Sequence, residues 1–143
     1  MRSGVRVAFD VGAVRIGVAR SDAQAVLCVP VATIATIDEA VAIVAEYEPL
    51  EIIIGLPVSM DGTEQRAAAR ARAWATELSE RMTTPIRLMD ERLSTTAAGR
   101  DLASAGLSTR QARNVVDQAA AVIILEHALE TERRTGSPGG TQL

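Results

Sequence analysis

Lysine is missing from the 143 residues, and cysteine and histidine occur once each. A single cysteine, Cys28, excludes a disulfide framework and a cysteine-built zinc site, and it fits a reducing compartment. Set in an apolar stretch, it reads as a buried structural thiol. A single histidine, His127, leaves no imidazole cluster for catalysis, and its place in the last predicted helix reads as a surface or packed position. The start Met-Arg-Ser-Gly-Val-Arg lacks the apolar core of a signal peptide, and no apolar run approaches the roughly 20 residues of a membrane span. A cytoplasmic protein with no membrane partner is expected. The net charge of −3 gives no general basic surface for nucleic acid. Arginine stands wherever a cation is needed: it supplies all fifteen basic residues, nine of them from Arg66 to Arg113. Guanidinium forks suit bidentate phosphate contacts, so the middle of the chain could hold a polyanion. The alternative is a set of ordinary solvated helix faces.

A chain of this length forms one domain able to bury roughly 70% of its unfolded surface. Residues 5 to 11 and 15 to 22 are short apolar runs joined through Gly12, which suits a hairpin. A third strand follows over 26 to 33. Thr36 with Glu39 makes a capping box for a helix over 37 to 48, which Pro49 stops. Residues 51 to 55 read as a buried strand of a parallel sheet. A helix over about 63 to 82 carries a core stripe of Ala67, Ala71, Trp74, Leu78 and Met82, with Arg66, Arg70 and Arg81 on its other face. A fifth strand spans 86 to 89, a helix spans 95 to 105, and a last helix capped by Ser108 and Gln111 runs to about Arg134. The domain is therefore residues 1 to 134. Residues 135 to 143 are turn formers with little to bury and are expected to be disordered. The order predicts an α/β fold: a mixed five-stranded sheet, three antiparallel strands then two parallel, flanked by helices on both faces.

Asp10 closes the run Val-Arg-Val-Ala-Phe-Asp, a carboxylate at the end of a buried strand, and a buried charge needs compensation. Glu91 lies just past the fifth strand, and Asp117 precedes the helix-like run 118 to 125. If the first strand lies beside the fourth, Asp10 sits near the sheet centre and Glu91 becomes its neighbour. Three acids brought together would make a metal site. Each has another reading: Asp10 as a hydrogen-bonded turn residue, Asp117 as a helix N-cap, and Asp90 in place of Glu91, since alternation lets only one of that pair point with Asp10. Asp61 reads as a turn residue.

The motifs at Phe9 to Ala19 (Phe-Asp-Val-Gly-Ala-Val-Arg-Ile-Gly-Val-Ala), Gly55 to Glu64, Asp90 to Thr95, and Asp117 with Ala119 to Leu125 stand in the order of a known family. Over about residues 5 to 130 the chain resembles the YqgF/RuvX Holliday-junction-resolvase-like nucleases of the ribonuclease H-like superfamily. The resemblance implies a metal-dependent endonuclease, with Asp10, Glu91 and Asp117 as catalytic ligands of Mg²⁺ or Mn²⁺. Two such ions roughly 4 Å apart activate an attacking water and stabilise a leaving oxygen, so no histidine or serine nucleophile is required. It further implies 5′-end maturation of pre-16S ribosomal RNA, with branched DNA as the runner-up substrate and the ribosome as a partner. Arg15, Arg66, Arg70, Arg92, Ser94, Thr95, Arg110 and Arg113 are the candidate nucleic-acid contacts, Ser94 and Thr95 from a helix N-terminus. Val14 and Ser59 depart from the family's usual lysine and asparagine, which bears on substrate grip.

Two other classes stay open. An actin-like ATPase also opens with an Asp-x-Gly hairpin, but it needs two such domains around its nucleotide. A non-catalytic module on ribosomes or the transcription machinery suits the acidic balance and Val14. Monomer and homodimer are equally compatible with the sequence, and a dimer would suit the two cuts of a DNA junction.

Overall fold

The computed structural model describes residues 1–91 and 109–143, with side chains from Arg113 onward in the second stretch. Strand β1 (Arg6–Val11) is buried at every position, as is β4 (Glu51–Leu56). Neither strand alternates apolar and polar residues, because both faces of the sheet are covered. β2 (Ile16–Ser21), β3 (Cys28–Ile34), β5 (Ile86–Asp90) and β6 (Thr141–Gln142) complete a sheet ordered β3-β2-β1-β4-β5-β6. β1, β2 and β3 form an antiparallel meander, and β1, β4 and β5 run parallel. The first strand therefore lies beside the fourth, as the alternation of elements predicts.

The sheet has six strands rather than five. The sixth comes from the tail expected to be disordered and pairs antiparallel with β5. Tertiary contacts hold it there. Arg87 donates through Nε and Nη2 to the carbonyls of Gly139 and Gly140, at 2.8 and 2.9 Å.

Helices α1 (Ile37–Tyr47) and α2 (Arg66–Ser79) cover one face, packing on Val7, Phe9, Val11, Ile52 and Ile54. The long helix α3 (Thr109–Thr135) covers the other, against Ala8, Ala19, Ile53 and Met89. The capping box of α1 is formed, with Thr36 accepting from the Glu39 N–H and Glu39 reaching back to the Thr36 N–H. In α2 the buried stripe is Ala68, Ala71, Ala75 and Leu78; Ala67 is exposed, and Trp74 and Met82 pack at the margin. The helix also starts later than predicted, because Glu64 bridges back to Val58. The predicted helix over 95 to 105 and the Ser108 and Gln111 cap lie outside the described residues. Cys28 is half-buried rather than buried, yet desolvation, then Glu126 and Asp22, push its thiol pKa up to about 11. It is protonated at neutral pH.

The far end of α3 is fastened by ion pairs. Arg6, fully buried, donates to Glu132 at 2.7 Å, and Arg2 bridges Glu132 to Glu51. Burial works against the charged form of Glu132, but hydrogen bonds from Arg2 and the charges of Arg6 and Arg2 outweigh it, and its pKa lies below the ordinary 4.5. Glu132→Gln strands Arg6 without its counter-charge, so a loss of roughly 3 kcal/mol is expected at pH 7. The depressed pKa makes this contribution present above pH 4.5 and lost as pH falls through the lower folded value. Urea melts of both proteins check it: the gap should close in acid, and a pH-independent gap would show that the ion pair is not its source.

Candidate functional site

Side chains alternate along a strand, so Asp10 lies two positions beyond Ala8 on the face that α3 covers. Gly55 follows Ile53 and Glu91 follows Met89 in the same way. The ladder continues past β5, since the Glu91 N–H donates to the Leu56 carbonyl at 3.1 Å, so alternation holds as far as Glu91. A Cβ on Gly55 would stand 2.8 Å from the Glu91 carboxylate carbon and Oε1. Glycine thus leaves room for this acid above the middle of the sheet. Asp90 points the other way, with Leu88, into a cavity of about 690 Å³ that also takes in Glu64, Arg72 and His127. Between the two rival acids, the structure puts Glu91 on the face of Asp10.

Asp117 reaches that face from above. Gly17 is the register partner of Asp10, and a Cβ there would fall 1.9 Å from the Asp117 carbonyl oxygen. The missing side chain lets α3 rest its backbone on β2 and sets Asp117 beside Asp10. Asp117 is the ninth residue of α3, not a residue ahead of it, which removes the N-cap reading. Asp10 is 8% exposed. So the three predicted acids, from two strand ends and one helix, share one face at one end of the sheet.

The arginines divide. Arg15 ends the turn after β1, where its carbonyl accepts from the Gly12 N–H at 2.9 Å, and its Nε donates to Asp117 Oδ2 at 2.9 Å. Its contact is therefore one of the three predicted acids. Arg15 also lines a groove of about 700 Å³ with Arg113, Thr33, Asn114 and Gln118. Arg66 and Arg70 stand on α2, on the opposite face of the sheet, and do not join it. Arg92, Ser94, Thr95 and the side chain of Arg110 lie outside the described residues. Val14 is exposed at the turn, and the Ser59 N–H donates to the Thr63 carbonyl. Asp61 takes the predicted turn role, accepting from the Thr63 N–H and hydroxyl at 2.9 and 2.7 Å. Thr33, Asn114 and Gln118 escaped sequence reading. Gly17 and Gly55 carried a usable signal, since glycine inside a strand marks close approach of another element.

The donor set suits a hard divalent cation: oxygen ligands only, on a buried face whose glycines leave space for them. Among the described residues, no three such side chains are gathered closely enough to hold one ion. Asp117 is turned to Arg15 instead.

The fold has a known counterpart. Thermus thermophilus RuvC, solved in complex with a Holliday junction substrate, superposes over 97% of this chain and 99% of its own with a TM-score of 0.60 at 13% identity. The fold is ribonuclease H-like, the class to which that resolvase belongs. Residues 4–131 match the family described as "RuvX: Holliday junction resolvase", and the chain belongs to this family. Relatives named "Putative pre-16S rRNA nuclease" come from Cutibacterium acnes, 52% identical over 91% of this chain and 84% of theirs, and Thermobifida fusca, 48% identical over 98% and 96%. Another from Streptomyces coelicolor is 46% identical over 98% of this chain and 88% of its own.

Proposed function

We propose that this chain is a metal-dependent endonuclease of the cytoplasm that cleaves phosphodiesters of structured nucleic acid, its substrate being the 5′ leader of pre-16S ribosomal RNA. The observation that carries the chemistry is the placing of Asp10, Glu91 and Asp117 on one face of the sheet, at one end of it. Asp10, in the middle, would hold a divalent cation together with Glu91 and Asp117 on either side of it. Divalent ions bound there would activate water and stabilise the leaving oxygen. Arg15 and Arg113 supply cations for the phosphodiester backbone from the adjoining groove. No described helix is long and apolar enough to cross a membrane.

The substrate assignment rests on the relatives' names, and the family's description favours four-way DNA junctions as the second reading. Cleavage of a precursor RNA fragment and of a synthetic junction, each with Mn²⁺, separates them. The RNA is expected to be cut at least about tenfold faster, the smallest preference that marks a specific substrate. Preference for the junction would move the assignment to recombination. Cleavage of neither, with ribosome association kept, would leave a non-catalytic module.

A further inference from the structure

We propose that Arg15 is a latch on Asp117 that opens when a divalent cation is present, and that the freed guanidinium then grips a phosphate in the groove beside it. The idea rests on the metal-dependent reading above and adds to it a device of this chain's own residues. Arg15 and Asp117 lie 2.9 Å apart with side chains 37% and 17% exposed, so solvent screens the pair and holds it weakly. A guanidinium and a divalent ion on one carboxylate repel each other, and the ion has the greater charge and the further ligands Asp10 and Glu91. Arg15 is the partner that yields.

Its movement is confined to the side chain. The backbone is fixed by the Gly12 N–H on one side and by β2 on the other. Its destination is already built, since the same side chain lines the groove with Arg113, Asn114, Gln118 and Glu39, the last with its Oε1 taken up by the Ala35 and Thr36 N–H groups. There Arg15 and Arg113 would present two guanidinium groups to a phosphate. The donors of Arg15 are divided between two tasks, and only one can be served at full strength at a time. Latched, Arg15 offsets the charge of Asp117 and keeps it from the other two acids. Released, it ties substrate grip to metal loading, so that nucleic acid is held firmly only by an enzyme ready to cut.

Mn²⁺ binding to the full chain, read from the electron paramagnetic resonance of free Mn²⁺, tests the first half. Arg15→Gln should bind the ion about three- to fivefold more tightly than the wild type, the factor a solvent-screened pair is worth. Arg15→Lys should fall between them. Should the glutamine variant melt below the assay temperature, the lysine variant carries the comparison. Equal or weaker binding would overturn the latch alone. If neither protein binds Mn²⁺, the metal-dependent reading falls with it. Anisotropy of a labelled precursor RNA fragment tests the second half, with Ca²⁺ replacing Mn²⁺ to hold off cleavage. Arg15→Gln should lose about tenfold in affinity with Ca²⁺ and less than about twofold in EDTA, as a phosphate contact made only after release requires. The same loss in both conditions would make Arg15 a constant phosphate contact and overturn the proposal.

Discussion

Asp10→Asn is expected to lower cleavage by at least about 10³-fold, as loss of a central ligand in a metal-assisted hydrolysis does, while the melting temperature stays equal or rises. The substitution keeps the size and outline of the side chain and removes only its charge. Asp10 is 8% exposed and lies on the same face as two other carboxylates, which repel its charge. Neutralising it relieves repulsion, the usual trade between stability and activity at a working site. Gel assays of RNA cleavage with Mn²⁺, beside a thermal melt, give both quantities. Asp90→Asn is the control that makes the result specific. Asp90 is one residue from Glu91 but alternates onto the face of Leu88, which α2 covers, so its variant should cleave within a few-fold of the wild type. Equal cleavage by the Asp10 and wild-type proteins would remove the metal account. Equal loss at Asp10 and Asp90 would point to a general disturbance of the strand ends.

The sequence reading went furthest where local rules and tertiary structure agree. The Thr36 and Glu39 box, the stop at Pro49 and the buried runs of β1, β4 and β5 each bear one dominant physical signature, and the sheet order followed from their alternation. It went astray where that signature is weak. In α2, alanines at 67, 68, 69, 71, 73 and 75 give little contrast between faces, so the predicted stripe took Ala67 in place of Ala68. β6 is two polar residues beside two glycines, and no periodicity can be read from that. Its place is set by Arg87 and by Gly140, whose φ of +77° and closeness to the Leu88 carbonyl require glycine. At the site, alternation posed the choice between Asp90 and Glu91 correctly but could not make it, because how far the ladder persists depends on the Leu56 carbonyl of a neighbouring strand. The pairing of Arg15 with Asp117, 102 residues apart, has no local signature at all.

Gly17→Ala should damage the protein out of proportion to one methyl group. A Cβ at this position would stand 1.9 Å from the Asp117 carbonyl oxygen and 2.3 Å from its carbon, distances no backbone tolerates. Neither atom belongs to a flexible side chain that could swing aside. The helix itself must lift by about 1 Å or more, which disturbs the packing of Ala120, Ala121, Ile124 and Leu125 on the sheet and should cost about 1–3 kcal/mol. The same displacement carries Asp117 away from Asp10, and a misplacement of that size at a reacting centre can lower the rate by about 10². A melt and a cleavage assay on the variant read the two effects. Stability and activity must fall together here, whereas Asp10→Asn separates them. A Gly17→Ala protein that melts and cleaves like the wild type would mean that α3 does not rest on β2 at this point. Asp117 would then need another support to reach the face of Asp10.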